Sequence, residues 1–308
     1  MNIFDIVKNN MDYLDSLEGI ETIYHYTNAL GLKGILEDGN FNLSHAKFMN
    51  DKTEIIYTQK LIIKQLIMLN SKETNIEIKT IYKKFIEIMG DENKYTNEIE
   101  SVKYRESKDR LPEYILSFSF DIDSQHMWSS FKCEDGYNIG IDFHKLYEKM
   151  NREGSILFIP SKVIYDVEKQ KQKIKSRILE FINIAKERDI EEIKNFYIGF
   201  KISMRLFANF FKNPVFKNDK EFRIIIYIYK NSPIKPKYRV KNNILIPYVK
   251  AINYKNDDGD KLLPIKSVTI GPTNFSDIAE EGLTYYLTDI GYNIDSIYIE
   301  KSIIPLRY

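Results

Sequence analysis

The segment from Glu221 to Tyr229, which reads Glu-Phe-Arg-Ile-Ile-Ile-Tyr-Ile-Tyr, constrains the fold most. β-Branched or aromatic residues occupy nearly every position, which is typical of a β-strand that is covered on both faces. Such a strand needs neighbours on either side. The sequence therefore predicts a protein built around a sheet, with residues 221–229 as a buried central strand.

Other segments predict strands and helices that do not alternate strictly. Strands are expected over residues 21–27, 41–43, 114–120, 136–143, 156–165, 268–270 and 297–299, and on both sides of a hairpin turn at 242–243. Helices are expected over residues 2–17, 29–37, 73–89, 94–108, 168–188, 190–211 and 276–290, and from about residue 51 onward. This mixture predicts one α+β domain over 1–308, with a helical insertion at about 70–108 and a helical pair at about 168–211.

Composition and charge exclude several classes of protein. The formal net charge is +1, from 45 basic and 44 acidic side chains, so no overall attraction to nucleic acid or anionic membrane is expected. A single cysteine, Cys133, excludes an internal disulfide and a cysteine-rich zinc site, and no metal site is expected. No leader peptide or membrane span is visible, so the expectation is a soluble cytoplasmic protein.

The motif Tyr24-His25-Tyr26-Thr27 places one of only four histidines where a strand gives way to a helix. Such edges often carry side chains that contact ligands. A histidine beside a hydroxyl can hydrogen-bond a ribose diol and a carboxamide. The alternative is a structural histidine that packs under the following helix.

Three further segments each permit a structural and a functional interpretation. Asn50 and Asp51 either begin a helix or close one wall of a pocket. Ser117 and Ser119 lie on one face of a strand, where they either order a ligand or a catalytic carboxylate or simply face solvent. Trp128 either packs in the core or stacks on a ligand.

Charged residues give two more open cases. Glu221 at the start of the buried strand needs a partner, and Arg223 on the same face provides one. The pair is either a structural ion pair or a catalytic carboxylate held by an arginine. The lysines between 168 and 177 form either a solvated helix face or a nucleic-acid-binding patch.

Taken together, the motifs resemble a widespread uncharacterised bacterial domain family. The resemblance covers nearly the whole chain outside 70–108 and 168–211. It rests on the following motifs: Tyr24-His25-Tyr26-Thr27, Leu43-Ser44, Asn50-Asp51 with Glu54, Ser117-Phe118-Ser119, Met127-Trp128, Gly140-Ile141-Asp142, Glu221-Phe222-Arg223, Gly271-Pro272 and Ser302 through Arg307. That family in turn resembles the ADP-ribosyltransferases, in which a first-strand histidine, a Ser-x-Ser strand and a late glutamate follow in the order of His25, Ser117/Ser119 and Glu221.

The resemblance implies an ADP-ribosyltransferase-like split mixed β-sheet core with helical insertions. It implies an NAD-dependent ADP-ribosyltransferase or NAD glycohydrolase, such as a bacterial toxin or a phage-defence effector, with NAD as substrate and the acceptor and oligomeric state left open. Glu221, with Arg223, takes the catalytic role. The implied NAD-binding residues are His25, Tyr26, Thr27, Ser44, Asn50, Asp51, Ser117, Ser119 and Trp128, and Tyr57 is a second candidate for stacking. The alternative is a non-catalytic nucleotide-sensing or protein-binding module on the same fold.

Overall fold

The protein divides into two compact units, one built around a β-sheet and the other made of helices. The computed structural model describes residues 14–48, 52–90, 113–130, 136–150, 156–186, 193–228, 232–241, 243–252, 254–273 and 275–305. The sheet unit contains the described parts of 17–49, 111–161 and 218–308. The helical unit contains those of 1–16, 50–110 and 162–217. The expectation of a single domain over 1–308 stays a prediction.

Ten strands of the described residues form one mixed, mostly antiparallel sheet, which confirms the α+β class. The strands are β1 (Thr22–Thr27), β2 (Leu43–His45), β3 (Glu113–Ser119), β4 (Tyr137–Asp142), β5 (Ile156–Lys162), β6 (Glu221–Ile228), β7 (Lys237–Lys241), β8 (Ile244–Val249), β9 (Ile265–Ile270) and β10 (Tyr298–Lys301). Their order is β10-β9-β4-β1-β3-β2-β8-β7, and β6 pairs with β3 and β5. β9 and β10 are parallel, whereas β3 and β6 are antiparallel.

The sheet unit also contains helices α1 (Ala29–Asp38), α4 (Gln125–Ser130), α5 (Phe143–Met150) and α8 (Ser276–Asp289). The helical unit contains α2 (Lys52–Lys72), α3 (Ile76–Gly90), α6 (Val167–Lys186) and α7 (Ile193–Phe210). Short 3-10 turns cover Ala46–Phe48, Pro214–Asp219 and Ile294–Ser296. The helix predicted over 94–108, and nearly all of the one predicted over 2–17, lie outside the described residues.

One face of the sheet is apolar. Phe118, Ile139, Phe222 and Ile224 point to this face and are buried in a common core with α1 and α8. Every residue of β6 is buried, as its composition predicted. The strong apolar pattern of β6 thus places it deep in the sheet.

The opposite face is polar around β3 and β6. Residues paired across antiparallel strands share a face, and Ser117 pairs with Arg223 as Ser119 pairs with Glu221. β1 and β2 both pair with β3, β2 also pairs with β8, and β8 pairs with β7. These pairings extend the polar face from β3 to β1 on one side and to β7 on the other. It bears Tyr24, Ser44, Ser117, Ser119, Glu221, Arg223 and Arg239. The sheet therefore gathers five of the predicted site residues on one surface, namely Ser44, Ser117, Ser119, Glu221 and Arg223.

A gap opens along the edge of β3 that faces β1 and β2. β1 pairs with β3 only at Tyr24 and Ser119, and β2 pairs with β3 only from Ser44 to Ile115 and His45 to Tyr114. No described strand pairs with that edge at residues 116–118. The backbone there needs other hydrogen-bond partners.

Aromatic packing holds the helical unit together. The rings of Phe85 and Phe200 stack with centroids 3.7 Å apart, and Phe181 meets both rings edge-on. On α6, Lys169 and Lys173 lie beside Asp15, and Lys171 lies beside Glu168. The basic start of α6 is thus partly offset by acidic neighbours, and the nucleic-acid interpretation stays untested. No described helix combines the length and the hydropathy that a membrane span requires.

Candidate functional site

The imidazole of His25 reaches into the gap beside β3. The Phe120 N–H bonds to Lys220 on the β6 side, so the alternation of a strand turns the Ser117 carbonyl toward the gap. His25 Nδ1 lies 3.0 Å from that carbonyl oxygen. Because a carbonyl oxygen only accepts, Nδ1 carries the proton and donates it. Nε2 is then an acceptor, and no described residue bonds to it.

The surroundings of His25 keep the ring neutral. Its ring meets Phe41 and Phe118 edge-on, with centroids 5.2 and 5.6 Å away. Desolvation lowers the pKa of His25 to about 4, and the positive charge of Arg239 acts in the same direction, against the Ser117 hydrogen bond. At neutral pH the imidazole can therefore accept a hydrogen bond from a hydroxyl through Nε2.

Ser117 also holds the candidate catalytic carboxylate. Its hydroxyl donates to Glu221 Oε1 at 2.6 Å. Arg223 donates from Nε to Oε1 at 2.6 Å and from Nη2 to Oε2 at 2.8 Å. Ser117 thus bonds His25 through its backbone and Glu221 through its side chain. The two partners lie on opposite sides of the sheet, His25 with the apolar rings of Phe41 and Phe118 and Glu221 on the polar face.

The Glu221–Arg223 pair is almost completely buried, with 8% and 4% of each residue exposed. Such a pair is costly to desolvate, and the bidentate geometry with a third donor from Ser117 offsets that cost. The ion pair expected from the sequence is present. It is compatible with both earlier interpretations, because an arginine-held carboxylate has the same geometry in either role.

Ser119 has a different role from Ser117, although both lie on one face as predicted. Its hydroxyl donates to the Asp219 backbone oxygen at 2.9 Å and accepts from the Asp121 N–H at 3.1 Å. It therefore fixes the turn that precedes β6. In that turn Lys220 has a φ of 42°, a left-handed conformation that is strained for a side chain other than glycine.

Tyr26 and Trp128 pack together in the protein interior. Their rings meet edge-on with centroids 4.6 Å apart, and 1% of Trp128 is exposed. The Trp128 indole N–H donates to Asp123 Oδ1 at 2.7 Å, and the Tyr26 hydroxyl donates to the Asp121 backbone oxygen at 2.8 Å. Burial raises the pKa of Tyr26. This corresponds to the core interpretation of Trp128, and stacking on a ligand would require its ring to be uncovered.

The remaining predicted residues are scattered. Thr27 ends β1 and is half-buried. Tyr57 belongs to the helical unit, where its hydroxyl donates to Gln170 Oε1 at 2.8 Å. Asn50 and Asp51 lie outside the described residues. No cluster of metal-ligating side chains occurs in the part of the chain that the structure describes.

Two features of the site were missed by sequence reasoning. Arg239 on β7 donates from Nη2 to Ser44 Oγ at 2.7 Å. His126 Nε2 lies 2.7 Å from Asp219 Oδ1, two residues before Glu221, and 45% of its side chain is exposed. The alternation of Lys237, Tyr238 and Arg239 could have placed a basic face on this strand, but nothing local connected it to Ser44.

Comparison with known proteins adds a family but no activity. A family model described as Protein of unknown function (DUF2971) matches residues 127–224, which is less than half of the chain. The matched segment contains Glu221 and Arg223. It also includes α6 and α7, although the resemblance inferred from the sequence motifs excluded residues 168–211. It does not contain His25 or Ser117. No curated protein and no solved structure matches the chain. Residues 127–224 are thus similar to the DUF2971 family, whose description names no function.

Proposed function

We propose that this protein is an NAD-dependent ADP-ribosyltransferase or NAD glycohydrolase, acting as a toxin or phage-defence effector. The observation that supports it is that Ser117 links the two residues, His25 through its backbone carbonyl and Glu221 through its hydroxyl, beside a gap between two strands of the sheet. An ADP-ribosyltransferase-like core with a split sheet would require a gap of this kind. The family match neither names this activity nor bears on it.

The residues have defined tasks in the proposed reaction. The bond between nicotinamide and ribose breaks, nicotinamide leaves with the electron pair, and the ribose carbon becomes cationic. The Glu221 carboxylate stabilises that cation, and most strongly in the transition state. Arg223 and Ser117 orient the carboxylate through their hydrogen bonds. Water or another acceptor then bonds to the ribose carbon and loses a proton.

Release of nicotinamide from NAD tests the proposal. We expect Glu221→Gln to lower the rate by about 10²- to 10³-fold, as loss of a transition-state charge contact does. Glu113→Gln is the matched control. Glu113 is a second buried glutamate on the same sheet, where it accepts from the Tyr227 hydroxyl at 3.3 Å. Equal rates for wild type and Glu221→Gln would remove the proposal.

A non-catalytic nucleotide-binding module is the second candidate, and the burial of Glu221 and Arg223 favours it. A carboxylate that is already held by three hydrogen bonds contributes to structure without any reaction. Titration calorimetry separates the two candidates. Binding of NAD with no nicotinamide released over hours supports the module, whereas turnover that depends on Glu221 supports the enzyme.

A further inference from the structure

We propose that Arg239 and Ser44 form a binding site for the diphosphate of a nucleotide, on the same sheet face as Glu221. The choice of a nucleotide diphosphate rests on the proposed function, because NAD contains that group. The site itself rests on the contacts of Arg239, a residue that neither the sequence motifs nor the family match contains.

The guanidinium of Arg239 is incompletely bonded. Nη2 donates to Ser44 Oγ at 2.7 Å, but the Nε–H is buried and has no hydrogen-bond partner. No carboxylate among the described residues lies within ion-pair distance. A buried donor of this kind normally has an acceptor, so its absence is costly to the free protein. A bound oxyanion would provide that acceptor.

Strand register connects this arginine to the candidate catalytic residues. Ser44 pairs with Ile115 on β3 and with Tyr248 on β8, and β8 in turn pairs with β7. Side chains two positions apart share a face, so Arg239, Ser44 and Ser117 project from one side of the sheet. A ligand lying across β2 and β3 on this side would meet Arg239 at one end and Ser117 at the other.

The charge of Arg239 has no carboxylate partner among the described residues, and it acts on His25. It opposes protonation of His25, whose ring lies at the Ser117 carbonyl in the gap. Burial also lowers the pKa of Arg239, although a guanidinium stays protonated at neutral pH. The fork of an arginine matches two oxygens of a phosphate, and a serine hydroxyl can bond a third. These properties select a phosphate or diphosphate rather than a carbohydrate or an amine.

Calorimetric titration with ADP and with adenosine tests the site. We expect Arg239→Met to weaken ADP binding by about 10- to 100-fold, because hydrogen bonds to a charged group are lost, and to leave adenosine binding unchanged. Lys237→Met is the matched control, since Lys237 carries the same charge on the same strand and face and is exposed. We expect it to leave both affinities unchanged.

The melting temperature provides a second measurement. Methionine fills similar space without an unsatisfied donor, so Arg239→Met should match or exceed the melting temperature of the ligand-free wild type. A lower melting temperature together with unchanged ADP affinity would assign Arg239 a structural role and overturn the site. Wild type that fails to bind ADP would overturn it as well.

The outcomes separate this site from the proposed reaction. ADP binding that depends on Arg239, in a protein that releases no nicotinamide, supports the site and removes the reaction. Nicotinamide release that depends on Glu221, with ADP binding indifferent to Arg239, supports the reaction and removes the site.

Discussion

At the scale of single residues, His25 makes stability depend on pH. Its pKa in the folded protein is about 4, against an ordinary value of 6.5, so the unfolded chain binds the extra proton between these values. The stabilising contribution of neutral His25 is complete above about pH 6.5 and is lost as the pH falls toward 4. We expect this one group to remove about 2 to 3 kcal/mol from the free energy of unfolding between pH 7 and pH 4.5.

Denaturant unfolding of wild type and His25→Gln at both pH values measures this contribution. Glutamine can still donate to the Ser117 carbonyl but does not titrate, so the variant should lose less stability on acidification. All other groups titrate in both proteins and cancel in the comparison. An identical loss in the two proteins would mean that the folded imidazole titrates normally.

At the scale of elements, two glycines of α1 are expected to respond in opposite ways to alanine. Gly39 ends the helix with a φ of 57°, and an added Cβ would lie 2.4 Å from the Lys261 backbone oxygen. Gly34 lies inside the same helix with open space around it. We expect Gly34→Ala to stabilise the protein by about 0.5 to 1 kcal/mol and Gly39→Ala to destabilise it by at least about 1 kcal/mol.

Thermal or denaturant unfolding of the two variants measures both effects on one element. The two substitutions add the same methyl group, once inside the helix where alanine is favoured and once at its left-handed cap, so a difference in sign reports the backbone conformation of Gly39. Destabilisation by both variants would indicate that α1 tolerates no added side-chain bulk on either side.

Elements with strong local patterns were predictable from the sequence. β6 follows from its continuous apolar run, and α1 from its periodicity and its terminal glycine. The shared face of Ser117 and Ser119 follows from the two-residue period of a strand. Their separate tasks do not, because one hydroxyl meets Glu221 and the other meets a turn, both about 100 positions away along the chain.

The Arg239 contact escaped prediction for a related reason. Ser44 and Arg239 are 195 positions apart, and they meet because β2 and β8 pair within the sheet. The order of strands in a sheet depends on pairing between distant segments, and hydrophobic periodicity does not predict which segments pair. The gap beside β3 is likewise visible only when the partners of each strand are known.

At the scale of the whole molecule, the helical unit is formed by residues 1–16 and by two long insertions in the chain of the sheet unit. Residues 50–110 leave after β2 and return before β3, and these two strands pair with each other. Residues 162–217 leave at the end of β5 and return before β6, which also pair. Each long insertion thus begins and ends at a pair of strands that are neighbours in the sheet. If the helices unfolded, the sheet would have to close two long loops, and loop entropy grows only slowly with length.

This chain connectivity predicts that the sheet unit can remain folded after the helices have unfolded. Phe200 is fully buried and stacks on Phe85, so Phe200→Ala should cost the helical unit about 3 to 5 kcal/mol. Trp128 is the only tryptophan of the chain and lies in the sheet unit, so its fluorescence reports on that unit alone. Far-ultraviolet circular dichroism reports largely on helices. We expect Phe200→Ala to shift the dichroism midpoint in urea further than the fluorescence midpoint, whereas equal shifts would mean that the two units unfold as one cooperative structure.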